Sequence, residues 1–310
     1  MVNNYLPIHL PKRLTNSFIS SYIGKINVIF QYKNTGTKTI ALDFGDVQEI
    51  DILGTLITYK VLEYCMINNC FANKIHNIFA NDNLVKEIQR FGFDEFINSL
   101  TVVEEKKYKK LKVELLNNCV VAPIALLRRD SAYSEEMIQK KYEPTISKYY
   151  AENEKKAGMI LEVFTEIMHN FWSHASDNKS IIAGFGNKAF FEIACADNGL
   201  GIDGTMAFQY PNKTGLQRMK LAMKRGITSK TNTKHMGFGL WFINEIVNRT
   251  KGILTIISNG ILFQNRFGSM VYSACPKWEG TIVYVKLPLE KPVTISEIED
   301  TRTIININFI

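Results

Sequence analysis

From Tyr149 onward the apolar residues Ile160, Leu161, Phe164, Ile167, Met168 and Phe171 recur at the spacing of one helix face, which predicts a long core-facing helix. Two strand-like runs follow, 181–185 and 189–196, turning at Gly186-Asn-Lys188 and delivering Asp197 at the rim of a sheet. The interval 203–236 then becomes polar and basic. It is punctuated by Gly204, Gly215 and Gly226 and carries one helical piece near Leu216 to Met223. Such a length of mostly polar chain predicts an active-site lid. A helix opening at Gly237 comes next, and 253–258, 261–264, 269–274 and 281–287 read as strands of one antiparallel edge.

The amino-terminal part has a different rhythm. Residues 26–32 and 39–44 read as two strands around an Asn34-Thr-Gly36 turn, and 52–70 as a helix on the spacing of Leu53, Leu56, Ile57, Val61, Leu62 and Cys65. Residues 74–81 read as a strand, and 82–91 as a helix capped by Asp82 and closed by Gly92. This order predicts a small α/β domain over residues 1–100, followed by a connecting segment, 101–148, and a second domain, 149–290. A tail, 291–310, ends in Thr303-Ile-Ile-Asn-Ile-Asn-Phe-Ile310, which could add a strand to a partner's sheet. The fold class expected is α+β.

Composition narrows the setting. With 310 residues, 46% of them hydrophobic, the chain has material for two packed cores. Neither a membrane span nor the layout of a signal peptide is evident, so a cytoplasmic protein is expected. The five cysteines (Cys65, Cys70, Cys119, Cys195, Cys275) are never spaced as C-x-x-C, which points to reduced, mostly buried thiols. A net charge of +7 is spread thinly, and its densest cluster, 106–112, reads as a solvated face or linker, so nucleic acid is not indicated as a partner.

Candidate chemistry collects in four places. Glu166-Ile-Met-His-Asn170 sets a carboxylate and an amide four residues apart on one helix face. Asp197-Asn-Gly-Leu-Gly201 puts a carboxylate at a strand end beside two glycines, Gly199 and Gly201, whose backbone can approach a planar ligand. Lys234-His-Met-Gly-Phe-Gly239 leads into a glycine-rich helix start, which offers free N–H groups to a phosphate. Gly280-Thr281 begins a strand with a hydroxyl.

In this order, over roughly residues 155–290, the four motifs resemble the asparagine box and three glycine boxes of the GHKL superfamily. That superfamily spans histidine kinases, anti-sigma-factor kinases, heat-shock chaperones, type II topoisomerases and mismatch-repair ATPases. The resemblance implies a Bergerat ATP-binding fold, a two-layer α/β sandwich with a mixed or antiparallel sheet, and ATP and Mg²⁺ as cofactors. It implies that Asp197 reads the adenine amine, with Thr281 at the same base edge through a water. Gly199, Gly201, Gly237 and Gly239 would line the nucleotide, and Lys234 and His235 would meet the terminal phosphates. Asn170 would hold the magnesium and Glu166 would act as general base. The activity implied is slow ATP hydrolysis or Ser/Thr phosphorylation of a protein, with a non-catalytic ATP-dependent switch as the alternative. A homodimer is left open. A histidine kinase is disfavoured, because residues 101–160 contain no His for a phosphoacceptor hairpin. A chaperone- or repair-type dimer is disfavoured too, since residues 291–310 are too few for its transducer domain.

Over about residues 20–100 the chain is similar to STAS domains, on Leu42-Asp-Phe-Gly-Asp-Val-Gln-Glu-Ile-Asp51 and Asn81-Asp-Asn-Leu-Val-Lys-Glu-Ile-Gln-Arg-Phe-Gly92. That likeness implies a protein-docking module. Where phosphorylatable members read Asp-Ser-Ser-Gly, this chain reads Asp51-Ile-Leu-Gly54, so Leu53 stands in place of the phosphoacceptor. The module is therefore expected to dock through its Asp51–Thr55 helix start without being switched there.

Overall fold

The computed structural model describes residues 5–31, 39–67, 74–76, 78, 81–100, 118–127, 131–174, 180–227 and 239–298. The chain is α+β and divides into two compact units, residues 1–117 with 275–279, and residues 118–274 with 280–310.

The first unit runs β1 (Tyr5–His9), β2 (Arg13–Leu14), α1 (Ile19–Gln31), β3 (Thr39–Asp43), β4 (Glu49–Ile50), α2 (Ile52–Ile67), β5 (Lys74–His76), α3 (Asp82–Arg90) and α4 (Asp94–Leu100). Its sheet has the order β1-β3-β5, all parallel, with Leu42 between Ile8 and Ile75. The strand expected over 26–32 is instead the last part of α1, as far as it is described. Ile19, Tyr22, Ile23, Ile26 and Ile29 are buried at three- and four-residue steps, so a helical stripe built from β-branched residues carries a strand-like composition. The strand that pairs with β3 is β1. The Asn34–Gly36 turn, Cys70 and the basic run 106–112 lie outside the described residues.

Asp51 starts α2. Its carboxylate accepts the Gly54 N–H at 2.8 Å and the Asn16 N–H at 2.7 Å, an N-cap that also pins the preceding loop. From Ile52 to Cys65 every residue of α2 is buried, which is why this helix is apolar nearly all round. It carries an interior ion pair, Lys60 Nζ to Glu63 Oε2 at 2.6 Å. The helix start expected as a docking point is thus enclosed within the chain, and Thr55 donates its hydroxyl to Asp51 O at 2.9 Å. Mass spectrometry after incubation with Mg-ATP will find no phosphate on residues 45–60, since Thr55 has no exposed surface. A stoichiometric phosphate on Thr55 would contradict this burial. In α3 the cap is Asn81, which accepts the Asn83 and Leu84 N–H groups, while Asp82 is the first helical residue.

The last part of the first unit comes from far along the chain. Residues 275–279 belong to it, and Trp278, without exposed surface, packs edge-on against Phe30 at 5.3 Å. Lys277 O accepts a hydrogen bond from Asn27 Nδ2 in the same region. Burial pushes the neighbouring Cys275 thiol up to about 11, which favours its protonated form.

The second unit begins with β6 (Cys119–Leu127), α5 (Ser131–Met137), a π-helical turn (Ile138–Tyr142), α6 (Glu143–Tyr149) and α7 (Glu154–His174). It continues with β7 (Ser180–Asn187), β8 (Phe190–Ala196), α8 (Gly201–Ala207), α9 (Gly215–Ala222) and α10 (Gly239–Thr250). It closes with β9 (Ile253–Ser258), β10 (Ile261–Arg266), β11 (Ser269–Ala274) and β12 (Thr281–Pro288). Seven of these strands form one sheet in the order β11-β10-β9-β12-β8-β7-β6, with every neighbouring pair antiparallel. The segment 101–148, expected as a connection, therefore contributes from Asn118 onward an edge strand and three helical turns or helices to this unit. Val120, Ala122, Ala125 and Leu127 are buried, and the register shift between Ala122 and Ala125 accommodates Pro123, which cannot donate to the ladder.

Ile160, Val163, Phe164, Ile167, Met168 and Phe171 of α7 share one core with Phe242, Ile243, Ile246 and Val247 of α10. Phe191, Ile193, Cys195, Val283, Val285 and Leu287 of β8 and β12 complete it. Val293 and Ile298 join the same cluster, so the first part of the expected tail is packed, while 303–310 lies outside the described residues.

Candidate nucleotide site

The last strand among the described residues, β12, sits between β8 and β9, and this placement assembles the first half of the site. Asp197 N–H, just past the end of β8, donates to Thr281 O at 3.0 Å, and Thr281 pairs with Ser258 at the end of β9. Asp197 is 3% exposed, and its Oδ1 accepts the Gly199 N–H at 2.6 Å, which fixes the rotation of the carboxylate. Gly201 has φ +70, and a Cβ there would lie 2.5 Å from Ser258 Oγ and 2.8 Å from Gly280 O. Its absent side chain serves close approach to two strand ends. Asp197, Gly199, Gly201 and Thr281 are thus one cluster.

The second half is built on helices. A Cβ on Gly239, the first residue of α10, would meet Asn170 Nδ2 at 2.7 Å, Glu166 Oε2 at 2.8 Å and Asn170 Oδ1 at 3.0 Å. The start of α10 therefore rests directly on the two polar groups that α7 presents one turn apart. Its orientation is held by buried Asn265 of β10, whose Nδ2 donates to Asn244 Oδ1 and Asn248 Oδ1 on α10, each at 2.7 Å. Asn170 Nδ2 is buried and has no hydrogen-bond partner among the described residues, a donor left unsatisfied beside the start of α10. Burial, and then the charge of Glu162 one turn back, raises the pKa of Glu166 above the ordinary carboxylate value.

Residues 203–227 of the expected lid fold on their own terms as α8, α9 and their turns. Arg218 Nε donates to Asp203 Oδ1 at 2.6 Å and its Nη1 to Lys213 O at 2.6 Å, while Met219 and Met223 are buried in the core of the unit. Thr214 and Gln217 cap α9 reciprocally. Lys234, His235 and Gly237 lie in 228–238, outside the described residues. Sequence reasoning passed over Ser258, Asn259, Glu162 and the three clustered asparagines. Ser258-Asn-Gly260 reads along the chain as nothing more than a hairpin turn, and an isolated Asn has no pattern to mark it.

Among the described residues no group of three or more His, Cys, Asp or Glu is placed to hold a metal by itself, and no helix is long and apolar enough to cross a membrane. Compared with known proteins, the sequence matches no family model and no curated protein.

Proposed function

We propose that the second unit is a Bergerat-type domain that binds an adenine nucleotide with magnesium and carries out slow phosphoryl transfer from it, either to water or to a protein hydroxyl. The observation that carries this reading is the meeting of Glu166, Asn170 and the Gly239 helix start. A helix N-terminus stripped of side chain, beside a carboxylate and an amide with an unpartnered donor, is a setting for a polyphosphate and its counter-ion. The donor set suits magnesium, which takes hard oxygen ligands and completes its shell with phosphates and waters. Asn170 would hold it through its side-chain oxygen. The metal would supply charge compensation for the phosphates.

The chain's own residues divide the remaining work. Asp197, buried and rotationally fixed, accepts a hydrogen bond from the exocyclic amine of adenine, which guanine's carbonyl cannot supply. Thr281 stands next to it at the same strand end. The N–H groups of the first described turn of α10 would meet the phosphates. Glu166, its proton affinity raised by burial, takes a proton from the attacking water or hydroxyl. The first unit, with no hydroxyl at Leu53, serves on this reading as a protein-docking module whose partner is set by surfaces other than the buried start of α2.

Titration calorimetry with Mg-ATP tests the reading. The parent chain is expected to bind, and Asp197→Asn to bind about tenfold to over a hundredfold more weakly, the effect of about 1.5–3 kcal/mol for a hydrogen bond to a charged group. Unchanged affinity in Asp197→Asn would sink the adenine assignment.

A further inference from the structure

Ser258 ends β9 with no exposed surface, and its single hydroxyl does two things at once. Oγ accepts the Ile202 N–H at 2.8 Å and donates to Gly280 O at 3.0 Å. The next residue, Asn259, has φ 49 and forms a two-residue turn with Gly260, φ 85, the geometry of a type I′ hairpin. From that turn Asn259 Nδ2 donates to Leu200 O at 3.0 Å. Leu200, Gly201 and Ile202 are thereby fastened at both flanks. Gly280, on the other side of the hydroxyl, is followed by Thr281, whose carbonyl accepts the Asp197 N–H at 3.0 Å.

These bonds link the two segments that flank Asp197. Ile202 N–H meets Ser258 Oγ, Ser258 Oγ meets Gly280 O, and Thr281 O meets Asp197 N–H. A hydroxyl can both accept and donate in this position, and the missing side chain of Gly201 admits it, since a Cβ at Gly201 would stand 2.5 Å from Oγ. We infer that Ser258, with Asn259, is a positioning pair for the base-binding half of the site. The pair holds residues 200–202 and 280–281 at a fixed spacing so that Asp197 meets its ligand in an ordered setting. This inference rests on the nucleotide reading proposed above.

The pair acts at one end of the ligand, and the test exploits that. In the full chain, Ser258→Ala removes the hydroxyl and Ser258→Thr retains it. Asn259→Gly removes the side-chain bond to Leu200 O while suiting the positive φ, and it alters a surface position if Ser258→Ala proves unable to fold. Affinity is measured for Mg-ATP and for magnesium tripolyphosphate, which lacks the base. Hydrogen exchange is followed at residues 199–203 and 280–282 without any ligand.

Ser258→Ala is expected to bind Mg-ATP about tenfold more weakly, and Asn259→Gly about threefold. Tripolyphosphate affinity should be unchanged in both, Ser258→Thr should restore ATP binding, and exchange should quicken in both segments. Equal losses for ATP and tripolyphosphate would mean a general loss of stability and would overturn the inference, as would unchanged ATP binding in a folded Ser258→Ala or Asn259→Gly chain. A parent chain that binds neither probe refutes the nucleotide reading itself, an outcome distinct from either of these.

Discussion

Glu166→Gln will lose roughly a hundredfold to ten-thousandfold in phosphate release or protein phosphorylation while still binding Mg-ATP, the range expected when a positioned general base is removed. The glutamine keeps the size of the side chain beside Gly239, so the start of α10 stays where it is. The pH dependence carries a second signature. A general base works when deprotonated, so activity rises with pH through the pKa of Glu166, and burial followed by the charge of Glu162 raises that pKa above the ordinary carboxylate value. The acid limb of the rate profile should therefore lie above the usual carboxylate range. Glu162→Gln, which removes the like charge, should shift the limb to lower pH. Labelled Mg-ATP assays that follow both free phosphate and labelled protein provide the measurement. If Glu166→Gln leaves a measurable turnover unchanged, the general-base role is wrong; if the parent chain binds Mg-ATP but neither releases phosphate nor labels protein, a switch that only binds ATP becomes the better account.

A comparably large effect is expected in the core of the first unit. Trp278→Ala will destabilise the first unit by about 3–5 kcal/mol, the range for deleting a large aromatic side chain from a packed interior. The ring has no exposed surface, and Phe30, its edge-on neighbour, is itself edge-on to Tyr64 at 4.9 Å, so its loss unsettles α1 and α2 together. Against a total stability of about 5–15 kcal/mol for a typical domain, that is a large share. Hydrogen exchange in 19–31 and 52–67 should speed up markedly in the variant. Protection equal to the parent's would show that Trp278 contributes little to this core.

The second unit was the more legible part of the chain, for a physical reason. Its helix α7 buries one regular stripe, which periodicity reports directly, while strands β7 to β9 are short apolar runs buried on both faces and bounded by turn residues; Glu166 and Asn170 share a face because four residues make about one turn. Asp197 at a strand end followed from the run before it. The insertion of β12 between β8 and β9 was hidden, because strand order is set by which edges meet in space and leaves no mark on the strands themselves. The assembly of the site depends on that insertion, which is why Ser258 was invisible. In the first unit α1 was mistaken for a strand, since isoleucines spaced for a helix still have the composition of a strand. The Lys60–Glu63 pair of α2 was equally hidden, as charges three residues apart ordinarily mark a solvated face and here they are enclosed.

The contribution of residues 275–279 to the first unit also bears on how such a chain can be inherited or cut. Two modules strung end to end can be traded separately, because one break in the gene frees each with its interior whole. Here no single break does so. A polypeptide stopping at residue 117 would leave without the tryptophan that completes its interior, and one starting at residue 118 would carry that indole with nothing to cover it. Separating the two halves therefore costs the first its tryptophan, and an exchange of one for another part keeps that interior whole only if residues 275–279 travel with it.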